Sequence, residues 1–499
     1  MLNDETTPIN NLEPTLRYSY AKSNGVLIIE KTETYLSLGI RHNASPIAIQ
    51  ELRRASNTPI RLTIMKPEEF NQLLTTTYET KSGAAVRLAE NISEKMDLKQ
   101  LMHDLPKTAD LLENENDAPV ISLINALFSE AVKLNASDIH LETFETQMTA
   151  RFRIDGVLQP VLELPHVLGP LVVSRIKVMS NLNIAEKRLP QDGRISIKIA
   201  GSSIDVRVST IPASYGERVV LRILNKKGSH LRLTDLGMSD QLLTWTREMI
   251  ARPHGIILVT GPTGAGKTTS LYAMLTELNQ PGQNILTVED PIEYDLAGIG
   301  QIQVNTKVDM TFARGLRAIL RQDPNIIMVG EIRDLETATI AVQASLTGHL
   351  VLSTLHTNTA LGAITRLRDM GIEPFLLSSS LIGVIAQRLV RILCSYCKEA
   401  YQPDHEERVL LNLSEGDQTP IYMAKGCDRC NQSGYTGRTG IYEVMLLDSG
   451  LKPMIHDNAS ERAMEVYVRH QYPSIRQDGL ARVRSGETTI EEVIRVTSE

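Results

Sequence analysis

Residues 261–268 read G-P-T-G-A-G-K-T, and this stretch decides the fold of the domain around it. Gly261, Gly264 and Gly266 let the backbone curl until its N–H groups, and those of the helix that follows, can face a phosphate. Pro262, Thr263 and Ala265 complete the curl. Lys267 supplies a cation for the β- and γ-phosphates, and the hydroxyl of Thr268, followed by Thr269, suits magnesium. Just upstream, I-I-L-V-T (256–260) is an apolar β-forming run. Just downstream, Leu271, Met274, Leu275 and Leu278 fall at i, i+3, i+4 and i+7, one face of a helix. Strand, glycine loop and amphipathic helix together make a P-loop, and ATP with Mg2+ is the ligand pair it implies.

The same rhythm continues outward. N-I-L-T-V (284–288), I-I-M-V (326–329) and L-V-L-S-T (350–354) are short, mostly apolar and rich in β-formers, as expected of parallel strands covered on both faces. Ligands of such sheets bind beyond the C-terminal ends of the strands. Three candidate groups fall there. Glu331 follows I-I-M-V-G, with Gly330 where many such ATPases carry aspartate, and can polarise the attacking water, help hold magnesium through water, or both. Glu289 and Asp290 end N-I-L-T-V, ahead of Glu293. His356 follows L-V-L-S-T and can contact a γ-phosphate.

Arginines form a second set. Arg314, Arg317 and Arg321 share one helical face opposite Phe312, Leu316, Ile319 and Leu320, which predicts either a solvated stripe or an anionic partner. Earlier in the chain the pattern is strand-rich. Ile197 and Ile199 alternate with polar residues, a glycine turn follows, and Ile204, Val206 and Val208 alternate again, so Asp205 and Arg207 belong to the open face of a hairpin. Arg207 and Arg222 lie in strand-like segments and can reach phosphates across a domain or subunit boundary.

All four cysteines form two pairs, Cys394-x-x-Cys397 and Cys427-x-x-Cys430, separated by 29 residues. Four thiolates make a closed tetrahedral site for structural Zn2+ in a reducing compartment, with redox pairs or unrelated buried cysteines as the alternative. At 499 residues the chain should hold several domains. Aromatics at 4% with a single tryptophan, and a formal net charge of −7, speak against nucleic acid as the partner. The start M-L-N-D-E-T-T-P has no signal-peptide pattern. The longest apolar run, 375–393, is interrupted by Gln387, Arg388 and Arg391 and is not read as a membrane span. Any membrane association should therefore pass through a protein partner. Residues 1–85 read as a small α/β unit, and 86–117 as a linker ending in the unpaired acids Asp110, Glu113, Glu115 and Asp117.

Taken together, G-P-T-G-A-G-K-T, V-E-D-P-I-E (288–293), V-G-E-I-R-D (329–334) and T-G-H-L-V-L-S-T-L-H-T-N (347–358) resemble the secretion ATPase superfamily, which powers pilus extension, pilus retraction and type II secretion. A-S-D-I-H-L-E (136–142) and A-E-K-R-L-P-Q-D-G-R-I (185–195) look like the domain that precedes the motor in that family. The resemblance implies an α/β fold: a RecA-like P-loop motor (235–499) with a zinc-binding insert near 394–437, a preceding α+β, PAS-like domain (118–228), and the small N-terminal domain. Retraction motors lack both the four cysteines and the long N-terminal region. Extension motors share the cysteines but generally carry a longer N-terminal portion. The short unit with L-R-Y-S-Y-A-K-S-N-G-V-L (16–27) is similar to the type II branch.

For that branch the resemblance implies a cytoplasmic homohexamer on the inner face of the inner membrane. Its N-terminal domain would dock on the cytoplasmic domain of an inner-membrane secretion protein, and the motor would act on a membrane platform protein. Arg207, Arg222, Arg317 and Arg321 match family arginines near the nucleotide. A type IV pilus extension motor is the alternative within the family; a non-hydrolysing ATP-binding scaffold or a nucleic-acid translocase is the alternative outside it.

Overall fold

The computed structural model describes residues 16, 21, 24–31, 35–56, 59–67, 69, 70, 73, 118–199, 202–224, 232–414 and 416–498. The linker 86–117 with its four acids, the glycine turn at 200–201 and most of 17–23 lie outside the described residues. The chain divides into two compact units, Met1–Leu224 and Asn225–Glu499.

In the first unit, β1 (Val26–Lys31) runs antiparallel to β2 (Leu36–Arg41). Helix Pro46–Ser56 then crosses over to β3 (Ile60–Met65), which is parallel to β2. Val26, Ile28, Leu38, Ile40 and Ala48 form its core. Farther along the chain come helix Ala118–Lys133, β4 (Asp138–Thr143), β5 (Gln147–Ile154), β6 (Val157–Pro165), helix Gly169–Met179, β7 (Gln191–Ile199), β8 (Ser202–Ala213) and β9 (Gly216–Leu224). These strands form one antiparallel sheet in the order β6-β5-β4-β9-β8-β7. Alternation works here as the pattern predicts: Ile204, Val206 and Val208 are buried in one cluster with Leu123, Phe128, Val172 and Ile176 of the two helices. The register Arg194, Arg207, Arg222, Asp138, Arg153 runs straight across five strands. Directly opposed residues share a face, so four arginines and one aspartate form a charged row on the side away from that core.

In the second unit, β10 (Gly255–Thr260), β11 (Ile285–Glu289), β12 (Gly300–Gln303), β13 (Ile326–Val329), β14 (Leu350–Leu355), β15 (Leu381–Leu393) and β18 (Tyr435–Leu446) form a seven-stranded sheet. Its order is β12-β11-β13-β14-β10-β15-β18, parallel throughout except for β18 at one edge. Every residue of β10, β13 and β14 is buried, which is why these strands read as mostly apolar runs, with the few hydroxyls (Thr260, Ser353, Thr354) buried too. Two cores lie on the two faces of this sheet: one holds Leu271, Met274 and Leu275 of the helix after the P-loop, and the other holds Leu316, Ile340 and Ile364. The strand order turns at β10, between β14 and β15, so the crevice of the fold opens above that strand's C-terminal end.

The long apolar run at 375–393 folds as helix Pro374–Ser380 followed by the 13-residue strand β15. No helix among the described residues is long and apolar enough to cross a membrane. β16 (Glu399–Tyr401) and β17 (Ile421–Met423) form a separate antiparallel pair beside the cysteines.

Candidate nucleotide site

Directly after β10 the chain makes the cradle. Gly261, Gly264 and Gly266 adopt φ of 153°, 80° and 84°, conformations that L side chains rarely take. Helix Lys267–Leu278 starts at the rim of the cradle, with Gly266 as its N-cap. Pro262, Thr263 and Gly264 form an exposed lip, Ala265 is buried, and Thr268 and Thr269 are half-buried on the first helical turn. Lys267 folds back over this lip, its Nζ donating to the carbonyl oxygens of Gly261 at 2.7 Å and Pro262 at 3.1 Å. Burial pulls the lysine down to about 8, helped by Arg388 and opposed by Glu331. A phosphate oxygen meeting this ammonium replaces two carbonyl acceptors with a full negative charge.

His356, just past β14, stands between Lys267 and Glu331. Its Nδ1 lies 3.5 Å from Lys267 Nζ and its Nε2 3.5 Å from Glu331 Oε2. Burial, and then the Lys267 cation, push the imidazole below its ordinary value. A lysine can only donate, so Nδ1 is the acceptor and Nε2 carries the proton toward the carboxylate. Glu331 is 17% exposed and also meets Arg333, whose guanidinium reaches toward Asp290 at 3.9 Å. Thr260 fixes the spacing of the two loops: its hydroxyl accepts from the Thr357 N–H at 2.9 Å and lies 3.1 Å from the Leu355 carbonyl. Lys267, His356, Glu331 and Asp290 thus converge on one edge of the sheet.

Gly330 has its own packing reason. A Cβ there would stand 3.3 Å from the Val288 carbonyl and 3.5 Å from the Phe312 ring, so an aspartate would crowd β11. Glu289 differs from its neighbour Asp290. It is 2% exposed, and its carboxylate accepts from the Tyr272 hydroxyl, from Thr287 at 2.5 Å and from Gln301 at 3.1 Å. That arrangement ties the P-loop helix to β11 and turns the Glu289 carboxylate inward, away from the lip. The helix Phe312–Ile319 has Phe312, Leu316 and Ile319 buried as the pattern requires. On its other face Arg314 pairs with Asp309 and Arg317 with Glu336 at 2.7 Å; Arg321, expected on the same face, instead lies in the turn just past the helix end and donates to the Arg317 carbonyl at 2.9 Å. Arg207 and Arg222 belong to the charged row of the other unit, where Arg222 and Arg153 share Asp138 at 3.0 and 3.4 Å.

Two supporting residues escape a reading of motifs. Gln387 and Arg388, on β15, lie behind the cradle, more than a hundred positions from it in sequence. Their only signal was a pair of polar residues interrupting an apolar run.

The four cysteines converge separately. Their sulfurs all lie within 4.8 Å of one another, with separations of 3.9 Å (Cys394–Cys427), 3.8 Å (Cys397–Cys430) and 3.7 Å (Cys427–Cys430). Four sulfurs ~2.3 Å from a central ion would stand about 3.8 Å apart, so the set fits a tetrahedral thiolate site. The backbone N–H groups of Cys427 and Gly434 donate to Cys430 Sγ, both at 3.2 Å, which favours a thiolate.

A parallel sheet with a phosphate cradle, a lysine and an acid–histidine pair on one edge defines a P-loop ATPase with a RecA-like motor. The chain belongs to the type II/IV secretion system protein family, whose model matches residues 113–495; a second model, for a domain of GSPII protein E, matches residues 15–78. It is 57% identical over 484 residues to type II secretion system protein E of Pseudomonas aeruginosa, across 97% of this chain and 96% of that one. It is likewise 57% identical to type II secretion system ATPase E of Vibrio cholerae, across 95% of each. Among solved structures, the pilus retraction motor PilT with bound ADP matches with a TM-score of 0.51 at 27% identity, over 75% of this chain and 97% of that one. The ATPase DotB of Yersinia pseudotuberculosis shares the fold at a TM-score of 0.57 and 18% identity, over 79% and 96%. The chain is therefore an ATP hydrolase of the secretion family.

Proposed function

We propose that this protein is the hexameric motor of a type II secretion system, hydrolysing ATP to drive pseudopilus assembly and protein export. The observation that carries the reading is the convergence of Lys267, His356 and Glu331 at the open lip of the P-loop. Its secretion role rests on near-full-length likeness to type II secretion proteins and on the match of residues 15–78 to a domain of GSPII protein E, which together disfavour the pilus-extension alternative.

In this reading the backbone of residues 261–269 and Lys267 hold the phosphates of ATP. Thr268 would hold Mg2+, which neutralises phosphate charge. Glu331 accepts a proton from the attacking water as the bond between that oxygen and the γ-phosphorus forms and the bond to the β,γ-bridging oxygen breaks, leaving ADP and inorganic phosphate. His356, neutral, keeps its Nε2–H toward Glu331 and steers that carboxylate. Arg333 holds its other oxygen and links it to Asp290. Arg207, Arg222, Arg317 and Arg321 bring positive charge when domains or subunits close, which makes turnover depend on assembly. Glu289 acts through packing.

The domain partition follows: residues 1–85 dock on the cytoplasmic domain of an inner-membrane secretion protein, 86–117 link, 118–228 precede the motor, and 235–499 are the motor acting on a membrane platform protein. Zn2+ at Cys394, Cys397, Cys427 and Cys430 is structural. The test is a chain lacking residues 1–85 beside the full chain in a secretion-deficient host. The shortened chain should keep ATP hydrolysis within about twofold, leave the membrane fraction and fail to restore secretion. A shortened chain that stays on the membrane and secretes would overturn the docking assignment, and a full chain that does not restore secretion would overturn the role itself.

A further inference from the structure

Behind the cradle, on the side away from its lip, β15 supplies two consecutive polar side chains that none of the steps above uses. Burying an amide or a guanidinium is costly unless its polar atoms are satisfied. Gln387 is 1% exposed, and both ends of its amide are engaged. Its Oε1 accepts from the Ser270 hydroxyl at 2.7 Å, and its Nε2 donates to the Ala265 carbonyl at 2.6 Å. Ala265 lies inside the cradle, while Ser270, also buried, closes the first turn of the helix by donating its N–H to the Gly266 carbonyl. One side chain therefore ties the loop to the helix it leads into.

The glycines of the cradle fit around this contact. A Cβ at Gly266 would stand 3.2 Å from Gln387 Nε2, and one at Gly261 would stand 2.6 Å from the Gln387 carbonyl. Arg388 continues the clamp. Its Nη1 donates to that same carbonyl at 3.0 Å, and its Nη2 donates to the backbone and side-chain oxygens of Asn358 at 3.0 and 3.1 Å. Asn358 lies two residues beyond His356. Among the described residues, no carboxylate lies within ion-pairing distance of Arg388, and its guanidinium is spent on the Gln387 carbonyl and the two Asn358 oxygens.

We propose that Gln387 and Arg388 are positioning residues for ATP hydrolysis, acting on different phosphates. Gln387 shapes the loop and the first helical turn, which meet the β-phosphate that ADP and ATP share. Arg388 holds the loop of His356, and with it the histidine's place beside Glu331, where the γ-phosphate reacts. The inference rests on the nucleotide-site reading given above. It predicts a split: an interaction made equally in ground and transition states changes KM, and one needed only in the transition state changes kcat.

The experiment measures ADP binding by calorimetry and steady-state ATP hydrolysis on the full chain, with melting curves as a folding control. Gln387→Met, close in volume and without the amide, should weaken ADP binding and raise KM about tenfold while kcat stays within about twofold. Arg388→Lys keeps the charge but loses the fork that joins the Gln387 carbonyl to Asn358; kcat should fall about tenfold with ADP affinity within about threefold. Ser270→Ala removes one of the two Gln387 contacts and should weaken ADP binding severalfold, without adding fully to Gln387→Met. Wild-type ADP affinity in a folded Gln387→Met, or full additivity with Ser270→Ala, overturns the proposal. If Gln387→Met does not fold, Ser270→Ala decides alone: unchanged ADP affinity rejects the clamp. A wild-type chain that binds no ADP would fail the nucleotide-site reading instead, so the two failures are distinguishable.

Discussion

The nucleotide site and the cysteine site sit in the same unit but are built in opposite ways. The cysteine site draws its four contacting atoms from two short pairs and closes on itself: the sulfurs face one another, and backbone N–H groups donate to Cys430. The nucleotide site is open. Its lip is exposed, its lysine rests on two carbonyls, and its shape depends on residues far away in sequence. A closed set of soft ligands suits a scaffold, while an open edge with a displaceable cation suits turnover.

The comparison can be broken most forcefully at Lys267. Lys267→Ala removes the half-buried cation at the lip, and ADP affinity should fall roughly 10²-fold or more, since charge-assisted contacts to phosphate are lost. Calorimetry checks this, and retained affinity would mean that the backbone amides suffice. The cysteine site should respond differently. Wild-type protein should contain about one zinc per chain by metal analysis; Cys397→Ser with Cys430→Ser should lose it and expose residues 394–437 to protease, because metal binding and local folding are coupled. ADP affinity should stay within about threefold, so a collapse of nucleotide binding in that variant would erase the contrast. The smallest effect is expected at Glu289. Tyr272→Phe removes one of its buried donors and should cost about 1–2 kcal/mol in denaturant unfolding, with hydrolysis within about threefold. A tenfold loss of hydrolysis without a stability change would return Glu289 to the chemistry.

How much of this was legible in the sequence follows the same contrast. The P-loop and the cysteine pairs could be read because each places its contacting atoms within a few consecutive residues. The motor strands could be read because a sheet covered on both faces buries every position and so favours mostly apolar runs, as in β10, β13 and β14. Glu289 and Asp290 could be placed at the strand end but not oriented. A strand's end locates a carboxylate without saying whether it turns outward like Asp290 or inward to Tyr272. The arginine stripe looked unpaired because its acids, Asp309 and Glu336, come from outside its helix. Gln387 and Arg388 carried a signal, since polar residues in an apolar stretch need partners. Those partners lie 117 and 122 residues away from Gln387 and 30 residues away from Arg388, and spacing alone does not find them.

The central claim is that Glu331, held beside His356 at the lip, is the carboxylate that takes the proton from water. Rapid-quench, single-turnover hydrolysis of ATP by Glu331→Gln, with ADP binding measured on the same preparation, tests it most directly. The account predicts that ADP affinity stays within about threefold while the hydrolysis rate falls roughly 10²–10³-fold, the range of a lost general base. Hydrolysis within about threefold of the wild-type rate would contradict it and move the chemistry to another group at the same edge.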